Sequence, residues 1–395
     1  MNSLYYTAEE AAAALGISVN SLYAYVSRKR IRTQTATGSK ASLYWHEDID
    51  RLAKRGRETA SPAADANLVP STAITLLTKE GPFYRGRSAL AMSQTCSIEE
   101  VAAHLWQVEY VDVFADEAPP FALAIPALHD RLARLDTIDR FISLLPMFQA
   151  ENARSHDLDR LGHARSGADI IRRFAAVLVG DRSSSSEPIH QYIVDRMKAP
   201  ADYADIVRRL LVLVADHELA PATYAVRAAA NVGVTPYQAV AVGLNTTRGR
   251  RILAGRTYAV RRLIEEIVAA PDPTLPILQR VRAGDPLPGF DGGVYRTVDV
   301  RAASLLAALR ERFGQEQHVS RLFRALEAAR DVAGAEPDVI LPCIFVEREI
   351  GFPHSDGVLA LAGRLVGWVA HAGEQREHAS VVRFGAAYSG ILPME

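Results

Sequence analysis

From about Ser97 to the end of the chain, apolar residues recur at helical spacing, as at Ile170, Ile171, Phe174, Val177 and Leu178. Ala, Leu, Arg and Glu dominate this stretch, and all four are good helix formers. Runs of alternating β-branched and aromatic residues, the mark of strands, are scarce. The pattern predicts a mostly all-α protein. Ser97-Ile-Glu-Glu100 marks one helix start, a capping box in which Ser and Glu three residues apart satisfy each other's backbone donors. Pro236, Pro271, Pro273, Pro286 and Pro353 punctuate the helices. Arg182-Ser-Ser-Ser-Ser-Glu187 reads as a polar surface loop. A length of 395 residues exceeds one typical domain. No apolar run approaches the roughly 18 residues that cross a bilayer. Met1 to Tyr6 has neither a basic nor an apolar leader character, so a cytoplasmic location is expected. Cys96 and Cys343 are far apart and lack metal spacing, which predicts no metal site.

Charge is uneven. Residues 1–57 hold nine Lys and Arg against five Asp and Glu, a net of +4, which leaves −5 on the remainder of a chain of net −1. A basic head on an acidic body points to an anionic partner for the head. Thr7-Ala-Glu-Glu10 is a second capping box, opening a helix through Leu15. Gly16-Ile17-Ser18 makes a turn, and Ser18 caps a second helix from Val19 to about Ser27. Ala11, Ala12, Leu15, Val19, Leu22 and Val26 supply a small core, Leu43-Tyr44-Trp45 a returning strand, and Glu47 to Lys54 a closing helix. This segment resembles the winged helix-turn-helix of MerR and phage excisionase proteins. The resemblance implies that the second helix enters the major groove of duplex DNA, with Asn20, Ser21 and Tyr25 available to bases or phosphates. Arg28, Lys29 and Arg30 would neutralise backbone phosphates. Helix-turn-helix modules also serve as protein contacts, and the sequence leaves both uses open. The domains expected are 1–57, a linker of small residues and prolines over 58–70, and a body over 71–395.

In the body, Gly81-Pro-Phe-Tyr-Arg-Gly86, Ser97 to Trp106, Ala215-Asp216-His217-Glu218-Leu219, Pro288 to Tyr295 with Asp299-Val300-Arg301, and Gly363-Arg364-Leu-Val-Gly367-Trp368-Val-Ala370-His371 follow one another in order. Arg383, with Tyr388 and Gly390 behind it, closes the series. Together these motifs resemble the citrate synthase family over about residues 71–395, although Gly385 stands where the closing motif has a second Arg. The resemblance implies a large domain over about 71–263 and 359–395, a small one over about 264–358, and a dimer.

The family condenses an acyl-CoA thioester with oxaloacetate and binds no cofactor tightly. By resemblance, Arg301, Arg364 and Arg383 hold the dicarboxylate, Arg383 in the neighbouring subunit's site, and His217 hydrogen-bonds the keto acid. Arginine suits the task because its planar fork accepts a carboxylate bidentately. Each Arg can equally pair with a local acid. The proton-handling residues are missing: Ile252 and Gly292 stand at the positions of the family's two histidines and Ile340 at that of its aspartate base. A positioned acid or base contributes about 100- to 10,000-fold, so the chain is expected to be inactive alone. Asp291 or Asp338 could serve after a register shift. The sequence therefore leaves three readings: a protein without catalysis of its own, either a citrate- or oxaloacetate-responsive DNA-binding regulator or a non-catalytic subunit of a homodimer or of a heterodimer with an intact paralogue; an active citrate or 2-methylcitrate synthase that uses displaced residues or a heteromeric partner; and a DNA-binding transcription factor whose body is only a dimerisation scaffold.

Overall fold

The computed structural model describes residues 5–29, 31–35, 41–46, 48–50, 52, 71–115, 117–118, 120–121, 124–218, 220–251, 253–290, 295, 298–352 and 357–377. The described residues fall into two compact units, one before residue 71 and one from Ser71 onward.

In the first unit, helix Ala8–Leu15 opens on the Thr7 box: Thr7 N–H donates to Glu10 Oε2 at 2.8 Å, and Glu10 N–H donates to Thr7 Oγ1 at 3.3 Å. Such a cap is worth about 1 kcal/mol. After the Gly16 turn, Ser18 Oγ accepts from Ser21 N–H at 3.2 Å and starts helix Val19–Lys29, two residues longer than expected. Strands β1 (Tyr5–Tyr6), β2 (Thr33–Thr35) and β3 (Ser42–Trp45) form an antiparallel sheet in the order β1-β3-β2. Ala11, Ala12 and Leu22 are buried with Ile31, Tyr44 and Ile49, and Leu15, Val19 and Val26 pack against them half-buried. Apolar positions from both helices and β3 thus meet in one small core.

The second unit begins with a three-stranded antiparallel sheet, β4 (Thr75–Thr78), β5 (Gly81–Tyr84) and β6 (Arg87–Ser88), and continues as helices. The Ser97 capping box is formed, with Ser97 N–H on Glu100 Oε2 at 2.7 Å. A further box joins Thr235 and Gln238 at the start of helix Pro236–Thr247. Helix Val358–Arg376 is buried on almost every side and packs against helices Ile98–Trp106, Arg160–Leu178, Tyr203–Leu213 and Pro221–Ala230. It approaches the last of Tyr203–Leu213 and the residues after it closely because its contact surface is glycine. A Cβ on Gly367 would lie 2.4 Å from Ala215 O, and one on Gly363 would lie 2.5 Å from Leu211 O. A separate apolar cluster holds Leu263, Ile267, Ile277, Ala325 and Ala329. No described helix is long and apolar enough to cross a membrane.

Candidate functional site

The chain leaves helix Tyr203–Leu213 through Val214, Ala215, Asp216 and His217, directly beneath helix Val358–Arg376. Gly367 N–H donates to Ala215 O at 3.1 Å, which fixes this exit. Arg301 sits in the first turn of helix Val300–Phe313, capped by Asp299, whose Oδ1 accepts Arg301 N–H at 3.1 Å. Gly289 has φ +84°, and its carbonyl accepts Asp338 N–H at 2.8 Å just before helix Ile340–Glu349. A Cβ there would meet Leu341 at 3.0 Å, so both the backbone and the packing require glycine.

These elements enclose a cavity of about 240 Å³. Its lining combines polar side chains, His217, Arg256, Tyr295, Arg301 and Arg364, with apolar ones that include Val214, Ala222, Ile340 and Leu361. His217, Arg301 and Arg364 are thus brought together, and Ile340 and Asp338 line the same space. Ile252, Gly292, Asp291 and Arg383 lie outside the described residues, as do Arg30 and the linker 58–70. Asn20 and Ser21 are exposed on helix Val19–Lys29. Tyr25, Arg28 and Lys29 belong to that helix, with side chains outside the described part. Among the described residues no group of His, Cys, Asp and Glu could hold a metal ion.

Each cavity arginine faces an aspartate. Arg301 makes a two-point pair with Asp299, Nε to Oδ1 at 3.0 Å and Nη2 to Oδ2 at 2.8 Å, and Asp299 Oδ2 also accepts Val339 N–H at 3.1 Å. Burial would lower the Arg301 guanidinium, and Asp299 more than offsets this, so its pKa is raised. Arg364 makes one longer contact, Nη1 to Asp216 Oδ1 at 3.4 Å. Burial lowers its pKa, Asp216 only partly compensates, and Arg301 repels it. Arg364 is therefore the cation with most to gain from an arriving carboxylate. Arg256 pairs with Asp338, whose Oδ1 accepts Ile340 N–H at 2.8 Å. That carboxylate is committed to an ion pair and to the Ile340 N–H, which argues against its use as a displaced base.

His217 Nε2 lies 3.3 Å from the Tyr295 hydroxyl. Burial, then Arg301 and Arg364, push the imidazole down to about 2, so it stays neutral and can share a hydrogen bond with a ligand oxygen. Burial also lowers His163 and His190, each to about 4. All three fall below the ordinary 6.5, so protons favour the unfolded chain. Their stabilising contribution is complete above pH 6.5 and is lost as pH falls. At pH 5 each is expected to cost about 2 kcal/mol, from a displacement of about 1.5 units. Urea midpoints measured at pH 7 and pH 5 check this, and equal midpoints would contradict it.

Sequence reasoning assigned no role to Arg256, Tyr295 or the Asp299 pairing. Arg256 carried one usable signal, since a cation in the first turn of helix Leu253–Ala269 opposes the helix dipole and calls for a nearby anion.

A model of the citrate synthase C-terminal domain family matches residues 65–385. A citrate synthase of Mycolicibacterium smegmatis is 25% identical over 361 residues, covering 82% of this chain and 93% of that protein. A 2-methylcitrate synthase of Shewanella oneidensis is 24% identical over 202 residues, which is 50% of this chain and only 53% of that protein. The structure of a Thermoplasma acidophilum citrate synthase in ternary complex with carboxymethyl coenzyme A and oxaloacetate superposes with a TM-score of 0.68 at 18% identity. It covers 84% of this chain and 96% of that one, so the mostly helical citrate synthase fold is shared. With the family model matching from before β4 to beyond the last described helix, the chain belongs to the citrate synthase family.

Proposed function

We propose that this protein binds a small dicarboxylate such as oxaloacetate or citrate in the arginine cavity, does not itself catalyse the condensation, and passes the binding event to a DNA-binding head. The observation that carries this reading is that one cavity is lined by Arg301, Arg364 and His217 together with Ile340. The arginines and His217 supply charge and hydrogen bonds for carboxylates and a keto oxygen. Ile340, at the place of the family's base, can neither take nor give a proton. The ligands of the Thermoplasma enzyme support a dicarboxylate as occupant, with a coenzyme A thioester as the family's co-substrate.

A dimer, as the family resemblance implies, would bring Arg383 to the partner's cavity and present two heads.

Citrate or oxaloacetate at millimolar concentration is expected to raise the melting temperature. A ligand at 100 times its Kd stabilises by about 2.7 kcal/mol. Arg364→Lys should lose most of that gain, because lysine lacks the planar fork. An unchanged melting curve for the wild-type protein with both ligands would make the arginines purely structural.

For the head, a winged helix-turn-helix reading predicts duplex binding that weakens steeply with salt. Arg28→Ala with Arg30→Ala should weaken binding to all sequences, whereas Asn20→Ala should change the sequence selected from a random duplex pool. Absence of binding at low salt would turn the head into an assembly module and the protein into a non-catalytic subunit. The relatives' names favour a second reading, an active citrate or 2-methylcitrate synthase, and the turnover assay that closes the Discussion separates the two.

A further inference from the structure

A second cavity, of about 230 Å³, opens at the other end of helix Val358–Arg376. The final turn of that helix, the first turn of helix Arg160–Leu178, the end of helix Ile98–Trp106 and Arg85 from the β5–β6 turn enclose it. It shares no lining residue with the arginine cavity.

Two half-buried guanidinium groups, Arg85 and Arg376, line this space, and among the described residues neither has a carboxylate within ion-pair distance. Arg85 Nε donates to Leu105 O at 2.8 Å. Arg376 Nη1 donates to His163 Nδ1 at 3.4 Å. Arginine has no acceptor, so Nδ1 must accept, and Nε2 carries the proton that Val369 O receives at 2.9 Å. His163 is thus a neutral partner and brings no charge to Arg376.

The acids that line the cavity are already engaged. Glu374 pairs with Arg227 and accepts Ala73 N–H at 2.7 Å. Glu377 pairs with Arg160 at 2.9 Å. Asp159 Oδ1 caps its own helix through Gly162 N–H at 2.7 Å and reaches Arg376 only at longer range. Burial lowers the pKa of both guanidinium groups, as expected for cations removed from water without a bonded counter-charge. Trp106 and Val369 supply an apolar side, and Gly373 leaves room beside them.

We propose that this cavity is a second ligand site for a small organic dianion, bearing phosphate or carboxylate groups on a compact apolar body. The two guanidinium forks match such oxyanions, and the wall of Trp106 and Val369 takes the remainder. The site is independent of what the arginine cavity binds.

The test is calorimetric titration of the full-length protein with phenyl phosphate and with phthalate, at ionic strength matched with sodium chloride. Saturable binding of one or both at millimolar concentration is expected, and the better binder tells phosphate from carboxylate. Arg376→Gln keeps a donor for His163 but removes the charge, and should weaken binding about tenfold or more. Gly373→Leu fills the cavity without touching a charge. Its Cβ would meet the His163 ring at 3.4 Å, an ordinary contact, so the fold should survive and binding should be lost. The proposal is overturned if neither compound binds the wild-type protein, or if binding is unchanged in both variants, which would place the anion in the arginine cavity or at the surface.

Discussion

Asp216→Ala is expected to destabilise the protein by about 3–5 kcal/mol, the loss seen when one partner is removed from a buried charged network. Asp216 is fully buried. Its Oδ2 accepts Thr75 Oγ1 at 2.6 Å and His371 Nε2 at 3.1 Å, and its Oδ1 faces Arg364. Burial would raise the carboxyl, and His371, Arg364 and Thr75 outweigh it and hold it down at about 2. Behind it, Arg227 donates to His371 Nδ1 at 3.2 Å and pairs with Glu374. Removing the carboxylate therefore leaves Arg364 without its anion, and Thr75 and His371 without their acceptor. Asp216→Asn keeps the shape and one acceptor, and should recover part of the loss. Urea unfolding at pH 7 measures both variants. If Asp216→Ala unfolds at the wild-type midpoint, the network contributes nothing to stability.

The parts of this network differ in how far the sequence announces them. Helices are legible because their apolar period and their caps are local: Thr7 with Glu10 and Ser97 with Glu100 can be read three residues apart, and both boxes form. The Thr235 and Gln238 box follows the same rule and is just as readable. His217, Arg301 and Arg364 are legible only through their resemblance to family motifs. Nothing in local spacing says that residues 217, 301 and 364 line one cavity. The pairings that set their electrostatics are legible in part. Asp299 and Arg301 are two residues apart, so their contact follows from a helix start. Arg364 with Asp216 and Arg256 with Asp338 span 148 and 82 positions, and only tertiary packing brings them together. The second cavity is invisible in sequence for the same reason, since Arg85 and Arg376 belong to the two ends of the second unit. The small residues Gly363 and Gly367 are visible, but the close helix approach they permit depends on a partner 150 residues away.

The central claim is retention of a carboxylate cavity without proton-handling chemistry, and turnover tests it most directly. The family's reaction needs a base for the thioester methyl and a donor for the enol. A single positioned group contributes about 100- to 10,000-fold, so the loss of several that the proposed function entails would remove most of the acceleration. On the proposed reading, with Ile252 and Gly292 at the positions of the two histidines, Ile340→Asp alone should not restore activity. The measurement is coenzyme A release by the purified full-length protein from acetyl-CoA or propionyl-CoA with oxaloacetate. The account predicts no release above the rate without protein. Steady turnover of about one per second, within the usual range of enzymes, would contradict it and make the protein a synthase that works without the family's base.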